Sequence, residues 1–109
     1  MTTREEAAEA CIGVFDEVFF RALAEPARIA IFREVVLLGE ADIGAISNRL
    51  PQDRSVISRH LQILADAGIL AVTKKGRQRI YRVDCPAITE RLEEILKITK
   101  ALQPHCCGS

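Results

Sequence analysis

The residues with the most distinctive chemistry are four cysteines, at Cys11, Cys85 and the adjacent positions Cys106 and Cys107. Thiolates are soft ligands that bind thiophilic metal and metalloid ions, and two neighbouring thiolates can close on one ion. Oxidation of the same thiols to a disulfide would instead make a redox switch. Two exposed adjacent cysteines are prone to oxidation, which would be a disadvantage if they had no function. We therefore favour a sensing role for Cys106 and Cys107.

Trivalent arsenic and antimony take three thiolates in a pyramid, so the Cys106 and Cys107 pair needs a third ligand for such an ion. Cys85 and Cys106 lie at opposite ends of a predicted helix of about seventeen residues, about 25 Å apart, which excludes a shared ion within one chain. Cys11 lies on an apolar helix face, where a small buried core residue is an equally good interpretation.

A second group of residues, on a helix predicted to begin after Asp53, has the chemistry of DNA recognition. We expect the Asp53 side chain to cap this helix. Apolar residues recur at helical spacing as a buried stripe, namely Val56, Ile57, Leu61, Leu64 and Ala65. The outward-facing residues are Arg54, Ser55, Ser58, Arg59 and Gln62. Serine and arginine bond phosphates and base edges in the major groove. His60 suits a DNA contact and a packed, hydrogen-bonded position equally well.

A basic hairpin is predicted directly after this helix. Gly68 is expected to end the helix, and residues 69–73 alternate as a strand. The turn and second strand carry the basic residues Lys74, Lys75, Arg77, Arg79 and Arg82. This pattern favours a DNA-binding wing, although basic residues also serve only to keep an edge strand soluble.

Charge is segregated along the chain, whose formal net charge is zero. Residues 49–82 contain eight Lys or Arg and two acidic residues, a net charge of +6, whereas residues 1–25 have a net charge of −4. A basic cluster of this kind is typical of nucleic-acid binding, so the neutral total does not exclude it.

The remaining elements are helices, which makes the predicted fold mostly α with a small β-hairpin. A capping box of Thr2 with Glu5, or of Thr3 with Glu6, begins a first helix of about twenty residues. A second helix runs from near Pro26 to Gly39, a short third helix occupies 43–50, and a last helix runs from Pro86 to Pro104. We expect one domain over residues 1–109, with a cysteine-bearing tail at 104–109.

The apolar surplus on the first and last helices predicts a homodimer through those helices, because a chain of this size buries only about two thirds of its surface. No apolar stretch is long enough to cross a membrane, and the acidic N-terminus is unlike a signal peptide. We therefore expect a cytoplasmic protein with reduced cysteines.

Four segments in order, PARIAIFREVV, ADIGAISNRL, SVISRHLQILADAGIL and VTKKGRQRIYRV, resemble the ArsR/SmtB family of winged helix-turn-helix repressors over roughly residues 20–83. The resemblance implies the order helix, helix, helix, helix, strand, strand, helix. It also implies a homodimer that binds an inverted-repeat operator and releases it when a metal, metalloid or redox signal arrives. The implied DNA-binding residues are Arg54, Ser55, Ser58, Arg59, His60, Lys74, Lys75, Arg77 and Arg79.

The sequence departs from the family at the usual sensing positions. The segment ADIGAISNRL lacks the Cys-x-Cys pair, the last helix lacks histidine ligands for zinc, and PARIAIFREVVLLG has no cysteine for a redox pair. Because the family places the first helix against the partner's last helix, the expected inducer site is Cys106, Cys107 and Cys11, with Cys85 of the partner as another third ligand. The expected inducer is As(III), Sb(III) or a methylated arsenical, and the alternative is a thiol-based redox or reactive-sulfur sensor.

Enzymatic thiol chemistry is not expected. It needs a low-pKa thiolate in a formed pocket, and the residues near the tail offer neither an anion-holding loop nor a pocket. We therefore predict neither a catalytic residue nor an organic cofactor.

Overall fold

The computed structural model describes residues 3–15 and 17–106. The elements, in chain order, are α1 (Arg4–Val14), α2 (Glu17–Ala24), α3 (Pro26–Leu38), β1 (Glu40–Ala41), α4 (Ile43–Ser47), α5 (Arg54–Asp66), β2 (Leu70–Lys75), β3 (Gln78–Val83) and α6 (Cys85–Cys106). Cys107 lies outside the described residues, so the structure gives no geometry for the predicted cysteine pair.

The single first helix predicted from the sequence is wrong, because the segment forms two helices. The Thr3 and Glu6 capping box is confirmed as the start of α1. Phe15 then leaves helical geometry, with φ −82° and ψ 72°. Gly13, a poor helix former, lies in the last turn before this break. The break allows α1 to pack along α6 while α2 places Phe19 and Ala22 in the core.

The core lies between α2, α3, α4, α5 and the sheet. Its largest fully buried side chains are Ile31, Val35, Ile46, Ile57, Leu61, Leu64 and Ile69. α3 begins at Pro26 and is followed by Gly39, as predicted. α4 ends at Ser47, three residues earlier than predicted, and leaves a longer turn before α5.

The sheet contains the predicted hairpin and one additional short strand. Its antiparallel order is β1-β3-β2, with Leu70 opposite Val83 and Lys75 opposite Gln78. β1 was not predicted, because its two residues gain strand geometry only by pairing, Ala41 with Tyr81. The mostly helical fold with a small antiparallel hairpin is the fold class that the sequence predicted.

α6 is longer than predicted and runs through Pro104 to Cys106. Pro104 was expected to end it, but this proline lies in the last described turn, where it removes a single backbone hydrogen bond. Asp84 caps α6, since its Oδ1 accepts the Ala87 N–H at 3.1 Å. None of its 22 residues is buried in the single chain.

Candidate nucleic-acid interface and cysteine positions

The recognition candidate α5 begins at Asp53, although not through the predicted side-chain cap. Asp53 has extended backbone geometry at the N-cap position, and its side chain makes no capping hydrogen bond. The helix begins instead with the backbone bond from Ile57 N–H to the Asp53 carbonyl, 3.0 Å. The negative charge of the Asp53 side chain still lies at the positive end of the helix dipole.

The outer face of α5 presents the polar residues that the helical spacing assigned to it. Arg54, Ser55, Ser58 and Arg59 are exposed, while Ile57, Leu61 and Leu64 are fully buried on the opposite side. α5 ends at Asp66, with Ala67 as its C-cap, and Gly68 follows with a φ of +77°. This positive φ suits glycine and turns the chain into β2.

The hairpin presents its basic residues beside the start of α5. Lys74, Lys75, Arg77 and Arg79 are all exposed, and Gly76 makes the turn with a φ of +64°. A cleft of about 230 Å³ lies between hairpin and helix, lined by Asp42, Ile43, Arg54, Ser58, Arg77, Gln78, Arg79 and Tyr81. Arginines from two elements therefore converge on one groove, an arrangement that suits a phosphate backbone.

Two glutamines connect the hairpin to the helices, and the charge pattern did not reveal this role. Gln62 donates to Asp66 Oδ1 at 2.7 Å and accepts from Arg79 at 3.5 Å. Gln78 donates through Nε2 to Asp42 Oδ2 at 3.0 Å. The guanidinium of Arg79 also lies 6.0 Å from the Tyr81 ring centroid, which limits its freedom.

Two residues of the 49–82 segment, His60 and Arg49, have side-chain partners on α3. His60 is half-buried, with its Nδ1 3.3 Å from a guanidinium nitrogen of Arg28 on α3. This contact favours the packed interpretation of His60 over a DNA contact. Arg49 forms an ion pair with the buried Glu34, so its charge is offset by a residue outside the cluster. Neither partner could be assigned from sequence spacing.

The described cysteines lie on α1 and α6, away from the basic cleft. Cys11 is half-buried on α1, and Cys85 and Cys106 are exposed at the two ends of α6. At the helical rise, the backbones of Cys85 and Cys106 are about 31 Å apart, which is farther than predicted. These two cysteines of one chain therefore cannot share an ion, as the sequence indicated. No group of three His, Cys, Asp or Glu residues within 3–15 and 17–106 could hold a metal ion.

α1 and α6 run side by side in opposite directions. The Arg4 guanidinium donates to the His105 carbonyl, which places the start of α1 against the last turn of α6. Cys11 is two helical turns farther along α1, about 10 Å from the level of Arg4. A site combining Cys11 with the tail of its own chain would therefore require the tail to fold back along α1.

Across the described ranges, no helix has both the length and the apolar character that crossing a membrane requires.

Comparison with known proteins identifies the family. No protein-family model matches the chain. An HTH-type transcriptional regulator of Methanocaldococcus jannaschii is 30% identical over 83 residues, which cover 76% of this chain and 89% of that protein. The solved structure of an ArsR-like transcriptional regulator from Rhodococcus sp. RHA1 matches with a TM-score of 0.70 and 25% identity, over 84% of this chain and 85% of that one. The chain belongs to the ArsR family.

A further ArsR-family relative, the arsenical resistance operon repressor of Escherichia coli, is 34% identical over 64 residues, which cover 59% of this chain and 55% of that protein. These relatives are transcriptional regulators and not enzymes. The present ArsR-family member is accordingly a DNA-binding transcriptional repressor with a winged helix-turn-helix fold. The family, the fold class and the non-enzymatic function predicted from the sequence are confirmed.

Proposed function

We propose that this ArsR-family repressor binds an inverted-repeat operator as a homodimer and releases it when a trivalent arsenic or antimony species binds its cysteine thiolates. The observation that carries the DNA-binding part is the cleft in which Arg54 and Ser58 of α5 meet Arg77 and Arg79 of the hairpin. Ser55, Arg59, Lys74 and Lys75 extend the same exposed surface. In this proposal α5 enters the major groove and the hairpin follows the adjacent phosphates.

Exposed apolar surface on α1 and α6 supports the homodimer. Ile12, Phe15, Leu92 and Leu96 are each more than half exposed, from 52% to 71%. The radius of gyration is 17.4 Å, whereas a compact domain of this length has about 13 Å. A second copy covering α1 and α6 would bury these side chains and set two copies of α5 about one DNA turn apart.

The position of Cys106 supports the sensing part. Its thiol is exposed on the last described turn of α6, beside the start of α1 and therefore within the same pair of helices that supports the dimer. An ion held by Cys106 and Cys107 would act directly on these two helices. A monomethylated trivalent arsenical has two exchangeable positions and needs only Cys106 and Cys107, whereas As(III) or Sb(III) needs a third thiolate, which we assign to Cys11.

Release requires that the ion binds the released conformation more tightly than the DNA-bound one. Moving operator occupancy from nearly full to nearly empty takes a preference of about 5.5 kcal/mol. Multidentate coordination by thiolates supplies such a difference when the released conformation brings more thiolates within reach of the ion than the DNA-bound conformation does.

The test is a titration of operator-bound protein with arsenite, antimonite and methylarsenite, followed by fluorescence anisotropy of the DNA. We expect the Cys106→Ser/Cys107→Ser variant to stay bound in all three titrations. Cys11→Ser should lose the response to arsenite and antimonite but keep that to methylarsenite. Cys85→Ser is the matched control, an exposed thiol at the opposite end of α6, and should respond as the wild type does. Unchanged release in Cys106→Ser/Cys107→Ser contradicts the tail site.

A second candidate is a redox or reactive-sulfur sensor of the same fold, which the exposure of the Cys106 thiol favours. It predicts a crosslink between subunits after peroxide or polysulfide treatment, reversed by dithiothreitol, with loss of operator binding. Non-reducing electrophoresis alongside the anisotropy measurement distinguishes the two, because metalloid sensing predicts release without a crosslink.

A further inference from the structure

Asp42, between β1 and α4, uses both of its carboxylate oxygens. Oδ1 accepts the backbone N–H of Ala45 at 2.9 Å and so caps α4. Oδ2 accepts the side-chain N–H of Gln78 at 3.0 Å. Gln78 is the first residue of β3, directly after the hairpin turn. One half-buried carboxylate therefore joins the outer end of the hairpin to the start of a helix in the helix-turn-helix unit.

The outer end of the hairpin has little other support from the rest of the protein. β1 pairs with β3 only as far as Ala41 and Tyr81, and Gln78 lies three residues closer to the turn. Among the hydrogen bonds described, the second connection from this end to a helix is the Arg79 bond to Gln62, at 3.5 Å. The Asp42 bond is shorter and has a carboxylate as its acceptor, which makes it the stronger of the two.

A carboxylate at this location is expected to weaken DNA binding. Asp42 lines the cleft that also contains Arg54, Arg77 and Arg79, where a negative charge opposes the approach of phosphates. Asparagine would cap α4 as well as aspartate does without adding that charge, but it would bind Gln78 through a neutral and weaker hydrogen bond. The charged residue is therefore useful for its contact with Gln78.

We propose that Asp42 is a positioning residue for DNA recognition, which fixes the hairpin against α5 and so determines operator selectivity. This inference rests on the proposed DNA-binding cleft. Phosphate contacts set the register in which α5 meets base edges, so a hairpin that shifts relative to α5 weakens discrimination between sequences more than affinity for DNA in general.

The test compares Asp42→Ser with the matched control Glu40→Gln. Asp42→Ser keeps an oxygen that can cap α4 but has no second oxygen that could accept from Gln78. Glu40 is exposed on β1, does not line the cleft, and loses the same charge. The probes are an inverted-repeat duplex selected from a random pool by the wild-type protein and a shuffled duplex of equal composition. Kd is measured for both by fluorescence anisotropy at several salt concentrations.

We expect Asp42→Ser to lower the ratio of selected to shuffled affinity about fivefold, while affinity for the shuffled duplex stays equal or rises. Glu40→Gln should keep the wild-type ratio. The exchange Asp42→Asn/Gln78→Glu should also keep the ratio near the wild-type value, because the new amide can donate to the new carboxylate at an unchanged total charge. Gln78→Ala breaks the same bond without touching the α4 cap and should match Asp42→Ser.

Equal ratios in Asp42→Ser and Glu40→Gln overturn this inference, and so does a low ratio in the exchange variant. The proposed DNA-binding cleft fails separately, if the wild type shows no salt-dependent binding to either duplex. If Asp42→Ser discriminates between the duplexes as the wild type does, the cleft stands and only the role of Asp42 is removed.

Discussion

The core formed by α2–α5 with the hairpin and the pair formed by α1 and α6 differ in how much of their helix surface the single chain buries. In the core, α5 has a fully buried inner face and a polar outer face, and its side chains connect to the hairpin. In the helix pair, α6 has no buried residue over its whole length, although α1 packs against it. We infer that the single chain is sufficient to form the DNA-reading surface, whereas the sensing region is completed by a second copy.

The largest expected effect comes from charging the exposed face of α6. Leu92→Asp/Leu96→Asp should prevent dimer formation and lower operator affinity by at least about a hundredfold, because two linked half-sites gain at least that much over one. Sedimentation velocity and anisotropy measure the two effects. Ile29→Asp, the same change at an exposed apolar residue of α3, is the control. If the double variant is still a dimer, the dimer interface does not include this face of α6.

The next-largest effect is on the free energy of unfolding, which should respond differently to substitutions in the core and in the helix pair. Leu64→Ala should lower the free energy of unfolding by about 2–5 kcal/mol, because it empties a fully buried position. Leu92→Ala, which shortens a side chain that is 52% exposed in the single chain, should cost little at protein concentrations where the monomer dominates. Urea denaturation at low and high protein concentration checks both. Similar losses for the two variants at low concentration would contradict the difference between the regions.

A smaller effect is expected in the cleft itself. Arg77→Ala should weaken binding to the selected and shuffled duplexes alike and reduce the slope of log affinity against log salt by about 1, the change expected for one phosphate contact. Lys97→Ala, an exposed cation on α6, should leave the slope unchanged. Equal salt slopes for Arg77→Ala and the wild type would remove the hairpin from the interface.

The smallest effect concerns the start of α1. The Thr3 backbone N–H and hydroxyl hold the pKa of Glu6 below its usual value. Because this pKa is lower in the folded state, the stabilisation is present above the unfolded-state pKa and is lost as the pH falls through the folded-state value. We expect Thr3→Ala to raise the pKa of Glu6 only part of the way to its usual value in an NMR titration, because the variant loses the hydroxyl but keeps the backbone N–H, which is the larger cause. An unchanged pKa in Thr3→Ala would show that the hydroxyl does not contribute.

Sequence reasoning recovered the parts of this fold that depend on local pattern. The buried stripe of α5, the hairpin around Gly76 and the capping box at Thr3 all follow from spacing and residue type within a few positions. The break at Phe15 did not follow, because the apolar residues continue through it in the sequence. The strand β1 did not follow, because it exists through pairing with the distant strand β3. For the same reason the sequence left both interpretations of His60 open and did not reveal the link from Asp42 to Gln78.

NMR chemical shifts test most directly whether DNA and arsenite act on different parts of the molecule, with operator DNA added to one portion of a labelled sample and arsenite to another portion without DNA. We expect DNA to shift the amides of residues 54–59 and 74–79, and arsenite to shift first those around Cys11 and Cys106. Arsenite-induced shifts confined to α5 and the hairpin, with α1 and α6 unchanged, would contradict a division between a DNA-reading core and a sensing helix pair.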